Sequence, residues 1–177
     1  MRRFLDRLYA ASGALAAVCL ASIAVVMLLQ AGMRELGMLF RGADDIVGWL
    51  CAGCAFLALG HTFRRGELVR VGLVIERLPA APRRATAIAA LALTVLFVGC
   101  MVYAVLRFVY ESWQFEEVAQ GLVAIPIWIP QLSFAAGAVV LLVAVVDEFV
   151  VLLRGGKPAY QAAEEDRAAR KDFSETL

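Results

Sequence analysis

Residues 8–33 read LYAASGALAAVCLASIAVVMLLQAGM, a run that contains no Asp, Glu, Lys or Arg. A helix needs about 20 predominantly apolar residues to cross a hydrocarbon core of about 30 Å. Residues 46–63, 85–106 and 118–146 are uncharged as well. The sequence therefore predicts an all-α membrane protein with four transmembrane helices, at about 10–30, 46–63, 85–106 and 126–149.

The composition supports this fold class. Hydrophobic residues make up 62 % of the chain and charged residues 19 %, whereas a soluble domain is nearer to half and a quarter. We therefore assign residues 1–157 to one transmembrane domain and residues 158–177 to a polar cytoplasmic tail. The first run is too long for the apolar part of a secretory signal, so we expect it to be retained. The net charge of +1 does not indicate a nucleic-acid partner.

The last uncharged run is too long for one perpendicular span. Pro126 and Pro130 stand in its first half, and proline is tolerated in the first turn of a helix. We therefore expect the fourth span to begin near one of these prolines. Residues 114–125 are expected to lie along the outer membrane interface.

The distribution of Lys and Arg predicts the orientation. Fourteen of the 17 basic residues lie before the first span, between spans two and three, or after the fourth span. The other two connections contain Arg34, Arg41 and Arg107. Because cytoplasmic connections are rich in Lys and Arg, both termini are expected to be cytoplasmic. Three interfacial tryptophans agree, since they fall near the outer ends of their segments: Trp49, Trp113 and Trp128.

The connection between spans two and three is predicted to contain an amphipathic arm helix. Apolar residues recur there at helical spacing, at Leu68, Val71, Ile75 and Leu78. Four arginines flank this arm and are expected to anchor it to anionic lipids of the inner leaflet: Arg64, Arg65, Arg83 and Arg84. The alternative interpretation is a solvated basic loop.

Cys51 and Cys54 are three residues apart and share one face of a helix. A quinone-linked thiol oxidase of the DsbB-like class is therefore an alternative function. Such an enzyme needs a second cysteine pair in the second outer connection, and residues 107–125 contain no cysteine. His61 is the only histidine, which excludes bis-histidine haem ligation within the chain. We expect no cofactor, no metal and no enzymatic activity.

No Asp or Glu lies in the middle of a predicted span. A self-contained ion-coupled carrier needs polar or ionisable groups there, so the sequence argues against one. What remains is an accessory subunit of a larger membrane machine, or a free-standing membrane scaffold.

Several segments resemble one family in their order and spacing. Asp44, Asp45 and Trp49 precede FLALG at 56–60, and the pattern R-x-G-E-x-V-x-V-x-x-x-I-x-x-LP starts at Arg64. The stretch YESWQFEEVAQGLVAIPIWIPQLSFAAGAVVLL follows at 110–142. Over roughly residues 20–155 the chain resembles the DctQ-like small membrane subunit of tripartite ATP-independent periplasmic (TRAP) transporters. Many relatives have His and Asp in the arm pattern where this chain has Leu68 and Gly72.

The resemblance implies a bacterial inner-membrane symport system for an organic acid, often a carboxylate. A periplasmic receptor captures the substrate, and a large membrane subunit moves it inward with a sodium gradient. The small subunit would act as a scaffold for the large one and help to dock the receptor. Three carboxylates of the second outer connection are candidates for that docking: Glu111, Glu116 and Glu117.

Overall fold

The computed structural model describes residues 2–65 and 80–156, which form four helices. These are α1 (Arg2–Glu35), α2 (Ala43–Arg65), α3 (Ala80–Gln114) and α4 (Trp128–Leu153). Each is long and apolar enough to cross a membrane, so the predicted four-helix membrane architecture is confirmed. Among the described residues no β-strand forms, and Val118 and Pro126 make one isolated antiparallel bridge. The arm residues Leu68, Val71, Ile75 and Leu78 lie outside the described residues, as does the tail from residue 158.

Two helices end at glycines with a left-handed backbone. Gly37 (φ 72°) follows α1 and Gly155 (φ 78°) follows α4. After α1, the amide of Met38 donates to the carbonyl of Met33 at 2.9 Å; after α4, the amide of Gly156 donates to that of Val151 at 3.0 Å. These bonds close a Schellman turn, which satisfies carbonyls that the helix itself leaves unpaired.

The order of the helices in space differs from their order in the chain. α1 packs on α2, α2 packs on α4, and α4 packs on α3. α4 therefore lies between α2 and α3, and α1 and α3 lie at opposite edges of the bundle. We call the end of the bundle with the α1–α2 and α3–α4 connections the outer end, and the opposite end the inner end.

α2 and α4 approach closely through small residues. A Cβ at Gly137 would collide with the backbone of Phe56, and one at Gly60 would lie 2.7 Å from a methyl group of Val140. A Cβ at Gly53 would lie 2.9 Å from the hydroxyl of Ser133. Within a membrane, glycine at a helix interface allows the backbones to pack closely and gain van der Waals contact.

The neighbouring interfaces use other contacts. The buried hydroxyl of Ser12 in α1 donates to the carbonyl of Leu57 in α2 at 2.6 Å. Between α3 and α4, Val98 and Val102 pack with Ala138 in one buried cluster.

Charged residues mark two levels along the bundle. Asp44 and Asp45 begin α2 and form the outer charge layer. Asp6, Arg64 and Asp147 meet at the other end and form the inner charge layer. From Asp45 to Arg64 the chain rises about 28 Å at 1.5 Å per residue, which matches the thickness of a hydrocarbon core.

Candidate functional site

The inner charge layer joins three helices through one guanidinium. Nη1 of Arg64 lies 2.7 Å from Oδ2 of Asp147 in α4, and Nη2 lies 2.9 Å from Oδ1 of Asp6 in α1. The guanidinium carbon also stands 5.3 Å from the ring centroid of Tyr9. The side chains of Arg64 and Asp147 are only 22 % and 24 % exposed. Arg64 therefore ties α1, α2 and α4 together.

Because of these contacts Arg64 is largely buried between helices, unlike two of the other three arginines that were predicted to bind lipid. Arg65 and Arg84 are exposed, and Nη2 of Arg84 lies 3.9 Å from the position that a Cβ of Gly155 would take. The side chain of Arg83 lies outside the described residues. Sequence reasoning missed Asp6 and Asp147, although opposite charges at the inner ends of three spans were a visible signal.

At the outer end, Asp45 fixes the connection between α3 and α4. Its Oδ2 accepts hydrogen bonds from the amides of Leu122 at 2.7 Å and Val123 at 3.3 Å. A Cβ at Gly121 would collide with the same carboxylate, and one at Gly42 (φ 83°) with the side chain of Val123. Asp44 instead accepts from Nε2 of Gln30 in α1 at 3.3 Å. Both carboxylates lie in the first turn of α2, and both also hold neighbouring segments.

The three glutamates proposed for docking have different surroundings. Glu111 belongs to α3, because the helix continues to Gln114 and the connection begins only afterwards. Its Oε1 accepts a hydrogen bond from Nε of Arg107 at 2.8 Å. Oε2 of Glu117 accepts from the hydroxyl of Ser112 at 2.8 Å. Glu116 is exposed, and its backbone is in the left-handed region (φ 51°).

Ser112 also anchors the start of α4. It is fully buried, and its oxygen accepts a hydrogen bond from Nε2 of Gln131 at 3.1 Å. Oε1 of Gln131 is buried without a partner among the described residues. Glu117, Ser112 and Gln131 thus form a polar chain between α3 and α4. The sequence offered no pattern for it beyond polar residues near two helix ends.

The cysteine pair lies within α2, well below the outer charge layer. Cys51 is exposed, Cys54 is half-buried, and both are free thiols. At 1.5 Å per residue they lie about 9 and 14 Å below Asp45, at hydrocarbon depth. His61 packs on α1, with Nδ1 3.2 Å from the carbonyl of Tyr9. Among the described residues no group of three or more His, Cys, Asp or Glu could hold a metal ion.

A cavity of about 250 Å³ opens between α1, α2 and α4 in the outer half of the bundle. No ionisable group other than the thiol of Cys19 stands in its wall, so the cavity offers no charged group to a substrate or ion. It is lined by Cys19, Ile46, Trp49, Leu50, Gly53, Ile125, Ile129, Pro130 and Ser133.

These features define a class: a small multi-pass membrane protein whose polar side chains mainly connect one helix to another. A comparison with protein-family models makes the assignment specific. Residues 23–155 match the model of the tripartite ATP-independent periplasmic transporters, DctQ component, and the chain belongs to this family. The resemblance found in the sequence is confirmed. The chain is thus a small permease subunit that associates with other TRAP components. No curated protein sequence matches it.

Proposed function

We propose that the chain acts as the non-catalytic small subunit of a secondary transporter that imports an organic acid, a carboxylate, with a sodium gradient. Its task is to hold the large membrane subunit as a scaffold and to help dock the periplasmic receptor. The supporting observation is that its described polar contacts mostly join helix to helix or helix to loop, as Arg64, Asp45 and Gln131 do.

The subunit is proposed to lie in a bacterial inner membrane with both termini in the cytoplasm. The distribution of basic residues supports this orientation. Trp113 and Trp128 lie at the same end of α3 and α4, which suits a membrane–water interface there. Single cysteines at positions 77 and 116, in a background without native cysteines, should react with an impermeant reagent from opposite faces. Reaction of both in intact cells would contradict the proposal.

The arm helix with Leu68, Val71, Ile75 and Leu78 is proposed to lie on the inner leaflet. Anchoring to anionic lipid is proposed for Arg65, Arg83 and Arg84, whereas Arg64 forms ion pairs with Asp6 and Asp147. Changing the three arginines to glutamate should reduce the binding of anionic lipid to the membrane-reconstituted subunit, since each base contributes about 1 kcal/mol near such a surface. Equal binding would identify the arm as a solvated basic loop.

Receptor docking is proposed for the glutamates of the outer end. Of Glu111, Glu116 and Glu117, the first is paired with Arg107 and the last with Ser112. Glu116 is the exposed carboxylate with no hydrogen bond or ion pair to its side chain within the described residues. It is therefore the group best placed to steer a basic patch of the receptor by long-range attraction.

Reconstitution tests the function as a whole. Proteoliposomes are prepared with a large TRAP membrane subunit, its purified receptor and the small subunit. Carboxylate uptake should require all three proteins and a sodium gradient. A variant with all four cysteines changed to alanine should transport like the wild type. Uptake without the small subunit would favour a free-standing scaffold, and loss of uptake only in the cysteine variant would revive the thiol oxidase.

A further inference from the structure

An ion pair stands on the exposed surface of α3. Arg107 and Glu111 are one helical turn apart, with Nε and Oε1 separated by 2.8 Å. Their side chains are 64 % and 44 % exposed. This hydrogen bond uses one of the five N–H groups of the guanidinium. The hydroxyl of Tyr103, one turn earlier on α3, also interacts with this guanidinium. The N–H groups that are left over lie on the exposed side of α3, which no other described helix covers.

The contacts of α3 with α4 give the depth of this pair. Ser112 bonds to Gln131, so the two residues lie at the same level. Gln131 precedes Asp147 by 16 residues, which places Ser112 about 24 Å from the inner charge layer and about 4 Å below the outer one. Arg107 lies five residues further inward, and therefore about 12 Å below the outer charge layer.

Two other contacts confirm this register of α3 against α4. Val98 and Val102 pack with Ala138, and Arg84 reaches Gly155 beyond the end of α4. In all of these pairings the residue number in α3 and the residue number in α4 have roughly the same sum. A constant sum is expected where two antiparallel helices stay in contact along their whole length. The depth derived for Arg107 therefore rests on contacts along the whole α3–α4 interface and not on the Ser112–Gln131 hydrogen bond alone.

The pair also points away from the bundle. At 100° per residue, Arg107 is about 180° around the helix from Val98 and about 160° from Leu91. Those two residues pack towards α4 in the two buried clusters. α3 lies at the edge of the bundle and packs on α4 with one face. Arg107 and Glu111 lie on the other face of α3, which does not pack on another described helix.

Lipid is a poor environment for this face. Ionisable residues at hydrocarbon depth almost always face protein or a water-filled cavity. The backbone of Arg107 lies more than two helical turns below the outer charge layer, so a guanidinium held at the level of Glu111 is still about 6 Å below that layer. Its hydrogen bond to Glu111 holds it about one turn above its own position. A protein surface with an acceptor oxygen at the same depth would satisfy the remaining N–H groups.

We propose that the α3 face with Tyr103, Arg107 and Glu111 is the surface that binds the large membrane subunit within the bilayer. The partner presents an acceptor oxygen, from a carboxylate or a main-chain carbonyl, at the depth of Arg107. This inference rests on the proposed function, because it takes the partner from the TRAP assembly. It adds the face of contact and the chemistry that the partner has to offer.

Exchanging the two charges tests the proposal. Arg107→Glu combined with Glu111→Arg preserves an intrahelical ion pair and the net charge but reverses the polarity that the partner meets. Co-purification of the large subunit with the tagged, full-length chain should fall by about tenfold or more, as it should for Arg107→Leu. Thermal unfolding of the small subunit alone should change little, because neither side chain contacts α4. Wild-type recovery of the large subunit with both variants would overturn the proposal.

Carbene footprinting supplies the second measurement. A bilayer-soluble diazirine should label Phe97 and Tyr103, exposed on this face, in the isolated small subunit, and label them several-fold less in the complex. Val18, exposed on α1 at the opposite edge, should keep its label in both. Equal labelling of α3 with and without the large subunit would show that lipid covers the face. Protection already in the isolated subunit would indicate a second copy of this chain and would also refute the proposal. If the wild type itself fails to bind the large subunit, the proposed function fails instead.

Discussion

Replacing Arg64 should destabilise the subunit strongly, because its guanidinium joins three helices at the inner end. Arg64→Leu leaves the carboxylate of Asp147, which is 24 % exposed, without its cation. Removing one partner of a buried ion pair costs about 3–5 kcal/mol, and partial exposure places this pair at the lower end. Asp6 is 56 % exposed and adds at most about 1 kcal/mol. We expect a loss of about 3 kcal/mol, or about a hundredfold in the unfolding equilibrium.

The measurement is reversible unfolding in mixed micelles, followed by circular dichroism. A double-mutant cycle separates the ion pair from general packing effects. Asp147→Asn in the Arg64→Leu background removes the stranded charge and should recover most of the lost stability. Arg41→Leu, in the α1–α2 connection, is the control and should change stability by less than about 0.5 kcal/mol. Strictly additive losses in the cycle, or an unchanged Arg64→Leu variant, would refute the reasoning.

Three further predictions follow from the packing and from the outer end. Gly137→Ala should lower the unfolding free energy in the same assay by about 2 kcal/mol, because the new methyl group meets the backbone of α2; Gly48→Ala, where a Cβ meets nothing within 4 Å, should not. Asp45→Ala should accelerate hydrogen exchange of the α3–α4 connection by about tenfold, since two loop amides lose a charged acceptor. Exchange as slow as in the wild type would show that the conformation of the loop does not depend on Asp45. Glu116→Gln should raise the receptor concentration for half-maximal uptake about two- to threefold at low salt, with no difference at high salt; an equal effect at both salt concentrations would exclude electrostatic steering.

The existence of the four helices was predictable, because each uncharged run is long enough to cross a membrane and has no other stable fold there. The ends of the helices were less predictable. The third span was expected to end at Leu106, before the first charge, yet α3 continues to Gln114. Arg107 pairs with Glu111 within the helix, so the charge does not mark the end of the helix. α4 begins at Trp128, between the two prolines that predicted its start.

The site was less accessible from the sequence, because its contacts depend on which helices are neighbours. The spacing of charges indicates how deep Arg64 and Asp147 lie but not that α2 packs on α4. Glu111, Glu116 and Glu117 look alike in the sequence, and only the structure shows which of them already have partners. The role of Asp45 in holding a distant loop could be seen only in the fold.

The spatial order of the helices has a consequence for biosynthesis. α3 leaves the ribosome before α4, the one helix with which it makes an extensive contact. When α3 enters the bilayer, the glycine-lined face of α2 and the valine face of α3 are therefore both uncovered. α4, which is made after α3, fills the space between them and completes both interfaces at once. A nascent chain stopped after residue 120 is then expected to contain a formed α1–α2 hairpin and a separate third helix, recognised by membrane chaperones and proteases as incomplete.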